Sequence, residues 1–167
     1  LGIGSPDGIT SSGSSGNIQT TSRSYATTAN YTYNGTEAQF TGNGLPATVN
    51  NLTVNNTAGV TLTGSPTITG VLTLTSGKLS TGANTPVIAA GASIAGAGPS
   101  TYVVGTLQKT FSTGNGQSFA FPIGDASTYA PIGVTSLNVG TAGGLTAGAA
   151  GGLAVGLGSH PATEDAW

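Results

Sequence analysis

Short runs of alternating apolar and polar residues recur between Leu45 and Val104 with a period of about twenty residues. The prolines Pro46, Pro66 and Pro86 mark this period. A fixed period of about twenty is typical of a solenoid, in which each coil buries its apolar side against the next. At one offset after each proline comes an apolar-polar-apolar triplet, namely Leu52-Thr53-Val54, Leu72-Thr73-Leu74 and Ala92-Ser93-Ile94.

The repeated segment is rich in Thr, Val, Leu and Asn and poor in helix formers. This composition favours strands over helices, so the prediction is an all-β fold built on a short right-handed parallel β-helix of three coils. The period also predicts two columns of stacked residues, which are Thr48, Ile68 and Ile88 in one and Thr61, Thr81 and Thr101 in the other.

The pattern divides the chain into three segments. Residues 1–24 are rich in Gly, Ser and Thr, like a flexible linker, and are expected to form a loose arm. Residues 25–105 are the predicted β-helix, with an aromatic cluster at its N-terminal end. Residues 106–167 lose the period and are predicted to form an antiparallel β-sandwich-like capping module with a Gly-rich tail.

Within the third segment, the pattern predicts three strands. Residues 106–111 and 118–121 are expected to pair as a hairpin with Asn115-Gly116 at its tip, and residues 132–139 form the third strand. The stretch 140–158 has glycine at every fourth position from Gly144, which is one form of a membrane helix packing face. Each helical glycine costs roughly 1 kcal/mol, so a surface β-segment or loop is favoured over a membrane span.

Charge is scarce along the whole chain. Three Lys and Arg residues oppose five Asp and Glu residues, so 5% of the chain is charged, against a usual value of about 25%. Disordered chains need high charge and low hydrophobicity, which indicates that this polarity belongs to a folded surface of hydroxyls and amides. Nucleic-acid binding needs clustered basic residues and is not expected.

The chain contains no cysteine, which excludes disulfides and thiolate metal sites. Its composition is more typical of a secreted bacterial surface protein than of a cytosolic enzyme. A chain that begins at Leu1 rather than Met is expected to be a processed or excised piece.

The chain has few of the residues that catalysis usually requires, with one His and five Asp and Glu. The one histidine, His160, would need Ser159 or another serine together with Glu164 or Asp165 to form a triad, and all lie in a tail that is expected to be flexible. The predicted coils contain no Asp or Glu, and Lys78 is their only charge. Glycoside hydrolysis requires two facing carboxylates. We therefore predict no catalytic, cofactor-binding or metal-binding residues and expect the chain not to be an enzyme.

Threonine-rich runs such as Thr61-Leu62-Thr63 suggest an ice-binding array of hydroxyls. At the twenty-residue period, however, Thr63 is followed by Ala83 and Val103, so the predicted array is one column wide. The threonines are then best interpreted as solvated strand residues.

Aromatic residues gather just before the repeat. Alternation in Asn30-Tyr31-Thr32-Tyr33 predicts a strand with both rings on one face. Covering the open end of the solenoid is the favoured role of these rings, and a sugar-binding platform is the alternative. The candidate glycan contacts are Tyr25, Tyr31, Tyr33 and Phe40.

Longer stretches resemble a known family. They are Tyr31-Thr-Tyr-Asn-Gly-Thr, the run from Thr41 to Leu62, Gly70 to Leu79, Tyr102 to Phe111, and Phe121-Pro-Ile-Gly-Asp. Over residues 25–137 the chain resembles the β-strand repeat units of very large secreted surface proteins of Bacteroidota. The resemblance implies a stalk or adhesin module and supplies no catalytic residues.

The main hypothesis is a structural or adhesive extracellular module that serves as a spacer or filament-forming segment on a bacterial cell surface. Its expected partners are other copies in head-to-tail association, neighbouring repeat units or cell-surface glycans. A carbohydrate-binding module is the alternative, and a β-helix polysaccharide-active enzyme is the third hypothesis. No cofactor is expected.

Overall fold

The structure, a computed structural model, describes residues 1–150 and 153–159. These residues contain strands and no helix. They form a parallel β-solenoid of about 5 turns with about 21 residues per turn, followed by an antiparallel sheet near the C-terminus. The predicted all-β class, with a parallel β-helix and an antiparallel sheet after it, is confirmed, but the solenoid has about 5 turns where the repeat predicted three.

Three sheets form the sides of the solenoid, and the inner coils contribute one short strand to each. Sheet A contains β1 (Gly2–Ile3), β2 (Asn30–Tyr33), β5 (Asn51–Asn55), β8 (Val71–Ser76) and β11 (Ser93–Ala95). Sheet B contains β3 (Gln39–Phe40), β6 (Val60–Thr61), β9 (Leu79–Ser80), β12 (Val103–Val104) and β15 (Ile123–Gly124). Sheet C contains β4 (Thr48–Val49), β7 (Thr67–Ile68), β10 (Val87–Ile88), β13 (Thr106–Phe111), β17 (Gly143–Ala150) and β18 (Leu153–Ser159). A separate two-stranded ribbon pairs β14 (Gly114–Phe121) with β16 (Ile132–Val139).

The core consists of inward-facing residues stacked in columns along the axis. In sheet A, Tyr31 is paired with Leu52, Leu52 with Leu72, and Leu72 with Ile94. Tyr31, Leu52 and Leu72 are at most 1% exposed. The predicted stacking of Leu52 on Leu72 is therefore confirmed, and alternate residues on the same strands face outward as the pleat requires.

The twenty-residue period fails at several other positions. Ile94, not Ala92, is the partner of Leu72, because the corner before β11 is longer than the corner before β8. In sheet B, Thr61 is paired with Ser80 instead of the predicted Thr81. Ser80 in turn is paired with Val104, so the predicted column of Thr61, Thr81 and Thr101 is wrong at both steps. The coils keep their strands in register and absorb the differences in length at the corners.

Sheet C shows the same kind of slip. Thr48 is paired with Thr67, so the predicted alignment of Thr48 with Ile68 is wrong by one residue. Ile68 and Ile88 are paired as predicted. A one-residue slip moves a side chain to the other face of a sheet, so Thr48 faces outward while Ile68 and Ile88 lie in the core.

The first residues belong to the solenoid and are not a loose arm. β1 is paired in parallel with β2, and both Ile3 and Ile9 are fully buried. Ile9 donates its N–H to Thr41 O, which adds a further layer beside sheet B. Residues 10–24 carry no strand, but the Arg23 guanidinium binds the carbonyls of Thr10 (3.1 Å) and Ser12 (3.2 Å). Two buried isoleucines, the pairing of β1 and these hydrogen bonds together hold the segment against the solenoid.

The C-terminal boundary also differs from the prediction. β13 lies in sheet C, where Lys109 is paired with Ile88, and β15 extends sheet B, so the solenoid continues beyond residue 105. The predicted hairpin of residues 106–111 with 118–121 is wrong. β13 is paired with β17, and β14 is paired with β16.

The composition of β14 explains this departure. Its place in the chain is that of the next sheet A strand, yet Gly114, Asn115 and Gly116 offer no apolar side chain for the core. β14 therefore does not join sheet A. It pairs instead with β16, the strand predicted at residues 132–139. Phe119 returns to the core and contacts Phe121, with ring centroids 4.8 Å apart.

The Gly-rich stretch 140–158 is strand in its described part, since it contains β17 and most of β18. This agrees with the favoured surface β-segment. Among the described residues, no helix is long and apolar enough to cross a membrane.

Candidate functional site

Two of the four candidate glycan contacts lie inside the solenoid. Tyr31 and Tyr33 are on one face of β2, as predicted, but they are 1% and 0% exposed. Their hydroxyls donate to backbone carbonyls, Tyr31 to Ala26 O and Tyr33 to Thr41 O, both at 2.7 Å. Burial raises the pKa of both phenols, and nearby tyrosines raise it further. These rings are core residues and present no face to a ligand.

Tyr25 and Phe40 lie in different surroundings. Tyr25 packs against the core, and its hydroxyl donates to Thr10 O at 3.2 Å. Phe40 points outward from sheet B and is 53% exposed. Its strand partner Thr61 also faces outward. Of the predicted candidates, Phe40 is the one ring that offers a stacking surface.

Lys109 occupies a position that sequence reasoning missed. It continues the inward column of sheet C below Ile88 and is 5% exposed. Its ammonium donates to the carbonyls of Ala89 (2.6 Å), Ala90 (2.9 Å) and Ala92 (2.8 Å). Burial lowers the pKa of this amine. Three donors matched to three corner carbonyls close the C-terminal part of the core, which is a structural role.

Lys78 is half-buried at the corner between sheets A and B. Its Nζ donates to Ala126 O at 2.7 Å and lies 4.7 Å from the centroid of the Tyr102 ring. An open groove of about 350 Å³ runs beside it and is lined mainly by small residues of this corner, such as Gly59, Gly77 and Ser80. Apart from Lys78, the lining consists of glycines and of apolar and hydroxyl side chains, so the groove brings together no set of titratable groups.

Acidic residues form no cluster in the described ranges. Asp125 caps a turn, since its Oδ1 accepts the N–H groups of Ser127 (2.8 Å) and Thr128 (2.7 Å). Over residues 1–150 and 153–159, no group of three or more His, Asp or Glu side chains could hold a metal ion. His160, Glu164 and Asp165, the residues considered for a triad, lie outside the described residues.

The register of sheet A adds Thr32 to the column of Thr53 and Thr73, which the twenty-residue period already places together. Thr32, Thr53 and Thr73 are successive partners on the outer face of sheet A. Elsewhere threonine hydroxyls are used internally, as where Thr41 and Thr63 bind each other at 3.0 Å. The three sheet A threonines are partly exposed. The column is again one residue wide, so it gives no more support to an ice-binding array than the predicted columns did.

Polar groups at the corners tie successive coils together. Gln39 is 1% exposed, and its Nε2 donates to Ile3 O and Ser5 O, both at 2.9 Å. Its Oε1 accepts a hydrogen bond from Asn56 Nδ2 at 2.9 Å. Three layers are linked through one side chain. Within the described part of the chain, every buried side-chain nitrogen and oxygen has a hydrogen-bond partner.

Some edges of the sheets are covered by other parts of the chain. At sheet B, Ala130 donates its N–H to Ile123 O and so covers β15. Sheet C is extended by β17 and β18. At the N-terminal end of sheet A, the Asn17 side chain forms hydrogen bonds with the backbone of Gly2 and Gly4. Such protection is the usual defence of a sheet against adding foreign strands.

Comparison with protein families, with curated proteins and with solved structures finds no match to this chain.

Proposed function

We propose that the chain is a structural or adhesive extracellular module, a spacer or filament segment of a bacterial surface protein. The observation that carries this proposal is the continuous sheet A column, in which Tyr31, Leu52, Leu72 and Ile94 stack through consecutive coils. Backbone hydrogen bonds run along the same axis in all three sheets, so each inner coil is bonded to the next on three sides. At about 4.8 Å per coil, about five coils span about 24 Å.

The surface supports the same proposal. The chain carries few charges, and its buried polar atoms are paired internally within the described residues. What remains outside is mainly hydroxyls and amides, such as the Thr32, Thr53 and Thr73 column. A spacer needs a soluble, inert exterior of this kind and no reactive cluster.

Single-molecule force spectroscopy tests the mechanical part of the proposal. The chain is placed between two marker domains of known unfolding force and pulled from its ends. We expect it to unfold in discrete cooperative steps at forces comparable to those of the markers. Gradual extension at low force would contradict a load-bearing role.

Antibody labelling of intact cells of the source organism tests the location. An antibody against the described solenoid is expected to label the cells without lysis. Labelling that appears only after lysis would contradict an extracellular module.

A carbohydrate-binding role is the second candidate, and one observation favours it. Phe40 is 53% exposed on sheet B, with the outward Thr61 beside it. Aromatic side chains beside a few polar groups are the usual lining of small-molecule sites. A glycan array with the wild-type chain and Phe40→Ala tests it. Binding that survives Phe40→Ala, or no binding at all, would contradict this role for Phe40.

A further inference from the structure

The outward face of sheet B carries one continuous column of side chains. Phe40 is paired with Thr61, Thr61 with Ser80, and Ser80 with Val104. The residue before each of these four is buried, so all four side chains face away from the core. Successive coils are about 4.8 Å apart, which places Phe40 and Ser80 about 10 Å apart along the axis.

The groove beside Lys78 takes up the far half of this column. Ser80 and Val104 contribute to its lining. The other lining residues lie mainly at the corner between sheets A and B and are small or carry hydroxyls, among them Thr57, Gly59, Gly77 and Ser100. Its volume of about 350 Å³ lies within the range of about 300–1,000 Å³ that is usual for small-molecule sites. The groove can therefore hold part of a ligand that begins at Phe40.

Lys78 supplies the charge in this lining, as far as the described residues go. An ammonium has three N–H donors. One bonds to Ala126 O, and the ring of Tyr102 lies 4.7 Å away, so the group is held in place with a donor left for a bound anion. The other two basic side chains serve the fold, because Lys109 places three hydrogen bonds on corner carbonyls and Arg23 binds loop carbonyls.

The arrangement of this face limits the ligands it can take. β9 lies between β6 and β12 in sheet B, so a peptide strand finds no free edge there. A nucleic acid needs several clustered cations. What the face offers is an exposed ring, the hydroxyls of Thr61 and Ser80, and one ammonium. These groups match an oligosaccharide, whose rings have apolar faces and hydroxyl edges, when it also carries a carboxylate for the ammonium.

We propose that Phe40, Thr61, Ser80 and the groove at Lys78 form one binding site, the sheet B site, for an acidic oligosaccharide. One sugar ring stacks on Phe40, and a uronate carboxylate two coils further along accepts a hydrogen bond from Lys78 Nζ. The inference rests on the carbohydrate-binding candidate of the proposed function and names its ligand class.

Acidic residues occur at both ends of the sheet B site. Glu37 is exposed on the same corner of the solenoid, about 10 Å before Lys78 along the axis. Asp125 is next to Ala126, and its Oδ1 accepts the N–H groups of a turn. Both charges lower the affinity for an anion, whereas Lys78 bonds to it directly. Replacing Glu37 by Gln should therefore tighten the binding of an acidic ligand and leave that of a neutral one unchanged.

Isothermal titration calorimetry tests the proposal with three acidic probes, namely trigalacturonate, a mannuronate trimer and a hyaluronan tetrasaccharide. Trigalactose, the carboxyl-reduced form of trigalacturonate, is the neutral control. The proteins are the wild-type chain, Lys78→Met, Lys78→Arg, Phe40→Ala, Glu37→Gln and Thr53→Ala. Thr53 is the matched control residue, because it faces outward on sheet A. Circular dichroism confirms that each variant is folded.

We expect at least one acidic probe to bind, and to bind more weakly at high salt. Lys78→Met should weaken this binding by about three- to tenfold, because a charged hydrogen bond is lost, and Lys78→Arg should retain more of it. Phe40→Ala should weaken it by at least about threefold. Glu37→Gln should strengthen it by up to about twofold. Thr53→Ala should bind like the wild type.

Three outcomes would overturn the proposal. The first is that none of the acidic probes binds. The second is binding that Lys78→Met leaves unchanged. The third is trigalactose binding as tightly as trigalacturonate. If that neutral binding is lost in Phe40→Ala, the carbohydrate-binding candidate stands and only the acidic ligand class fails. The pulling and labelling experiments test the structural role separately.

Discussion

Replacing Lys109 by Met tests whether its three hydrogen bonds stabilise the C-terminal part of the solenoid. The Met side chain is about as long and keeps the apolar stem below Ile88, but it leaves the carbonyls of Ala89, Ala90 and Ala92 without their donor. Hydrogen bonds to a charged group contribute about 1.5–3 kcal/mol each, and burying the ammonium costs several kcal/mol. We expect a net loss of about 2 kcal/mol. Lys109→Ala should lose about 2 kcal/mol more, because its buried methylenes go as well.

Urea unfolding followed by circular dichroism measures these losses as changes in midpoint at constant slope. Lys78→Met is the matched control. Lys78 donates a single hydrogen bond, to Ala126 O at 2.7 Å, from a half-buried side chain. Its replacement should cost less than about 1 kcal/mol. The reasoning is refuted if Lys109→Met is as stable as the wild type, or if both Met variants lose the same amount.

The pH dependence gives a second readout for Lys109. Burial lowers the pKa of its amine, so the unfolded chain holds the proton more tightly than the folded chain does. Stability contributed by this group therefore rises as pH increases through the lowered pKa toward the unfolded value of about 10.4. Lys109→Met should lack this rise. A wild type whose stability relative to Lys109→Met falls over that range would contradict the direction.

Two further predictions concern the core and a corner. Gly77 has a φ of 74°, and a Cβ there would lie 1.8 Å from Asn56 O, so Gly77→Ala should cost about 2 kcal/mol or more in urea unfolding. Gly64→Ala, where nothing lies within 4 Å, should change stability by less than about 0.5 kcal/mol, and equal effects would contradict this view. Burial raises the pKa of the Tyr33 phenol above its ordinary value of 10.0, so the unfolded chain loses this proton at a lower pH than the folded chain. The free energy of unfolding should therefore fall as the pH rises above 10.0, and it should fall less steeply in Tyr33→Phe. Identical alkaline profiles for wild type and Tyr33→Phe would count against burial of this phenol.

The architecture was predictable where the sequence is regular. Leu52 and Leu72 sit one period apart in strands of the same pattern, and the structure stacks them. The alternation at residues 30–33 likewise predicted Tyr31 and Tyr33 on one face. Apolar alternation reports which side of a strand faces the core, and that information is local.

Register at the corners was not predictable from the period. Corners contain glycines and polar side chains, and they tolerate extra residues while the strands stay paired. Thr61 therefore lies beside Ser80, and Ile94 lies beside Leu72. The role of residues 1–24 depended on two buried isoleucines, Ile3 and Ile9, within a linker-like composition. Composition alone could not show that they complete a coil.

Side chains that satisfy backbone groups were also invisible to pattern analysis. Lys109 faces inward in a sheet column because three carbonyls converge on its ammonium. The Asn17 side chain likewise bonds to the backbone of Gly2 and Gly4. Both roles depend on backbone geometry far away in sequence, which no local signal carries.

Paired cysteines test the stacked register most directly, because the chain has no cysteine of its own. Thr61 and Ser80 are outward-facing partners, so Thr61→Cys combined with Ser80→Cys should form a disulfide readily under mild oxidation. The strict period instead pairs Thr61 with Thr81, which is fully buried, and Thr61→Cys with Thr81→Cys should cross-link poorly. The register of the solenoid predicts that the Thr61→Cys, Ser80→Cys variant cross-links rapidly and that the Thr61→Cys, Thr81→Cys variant does not. Equal or faster cross-linking of Thr61→Cys with Thr81→Cys would contradict it.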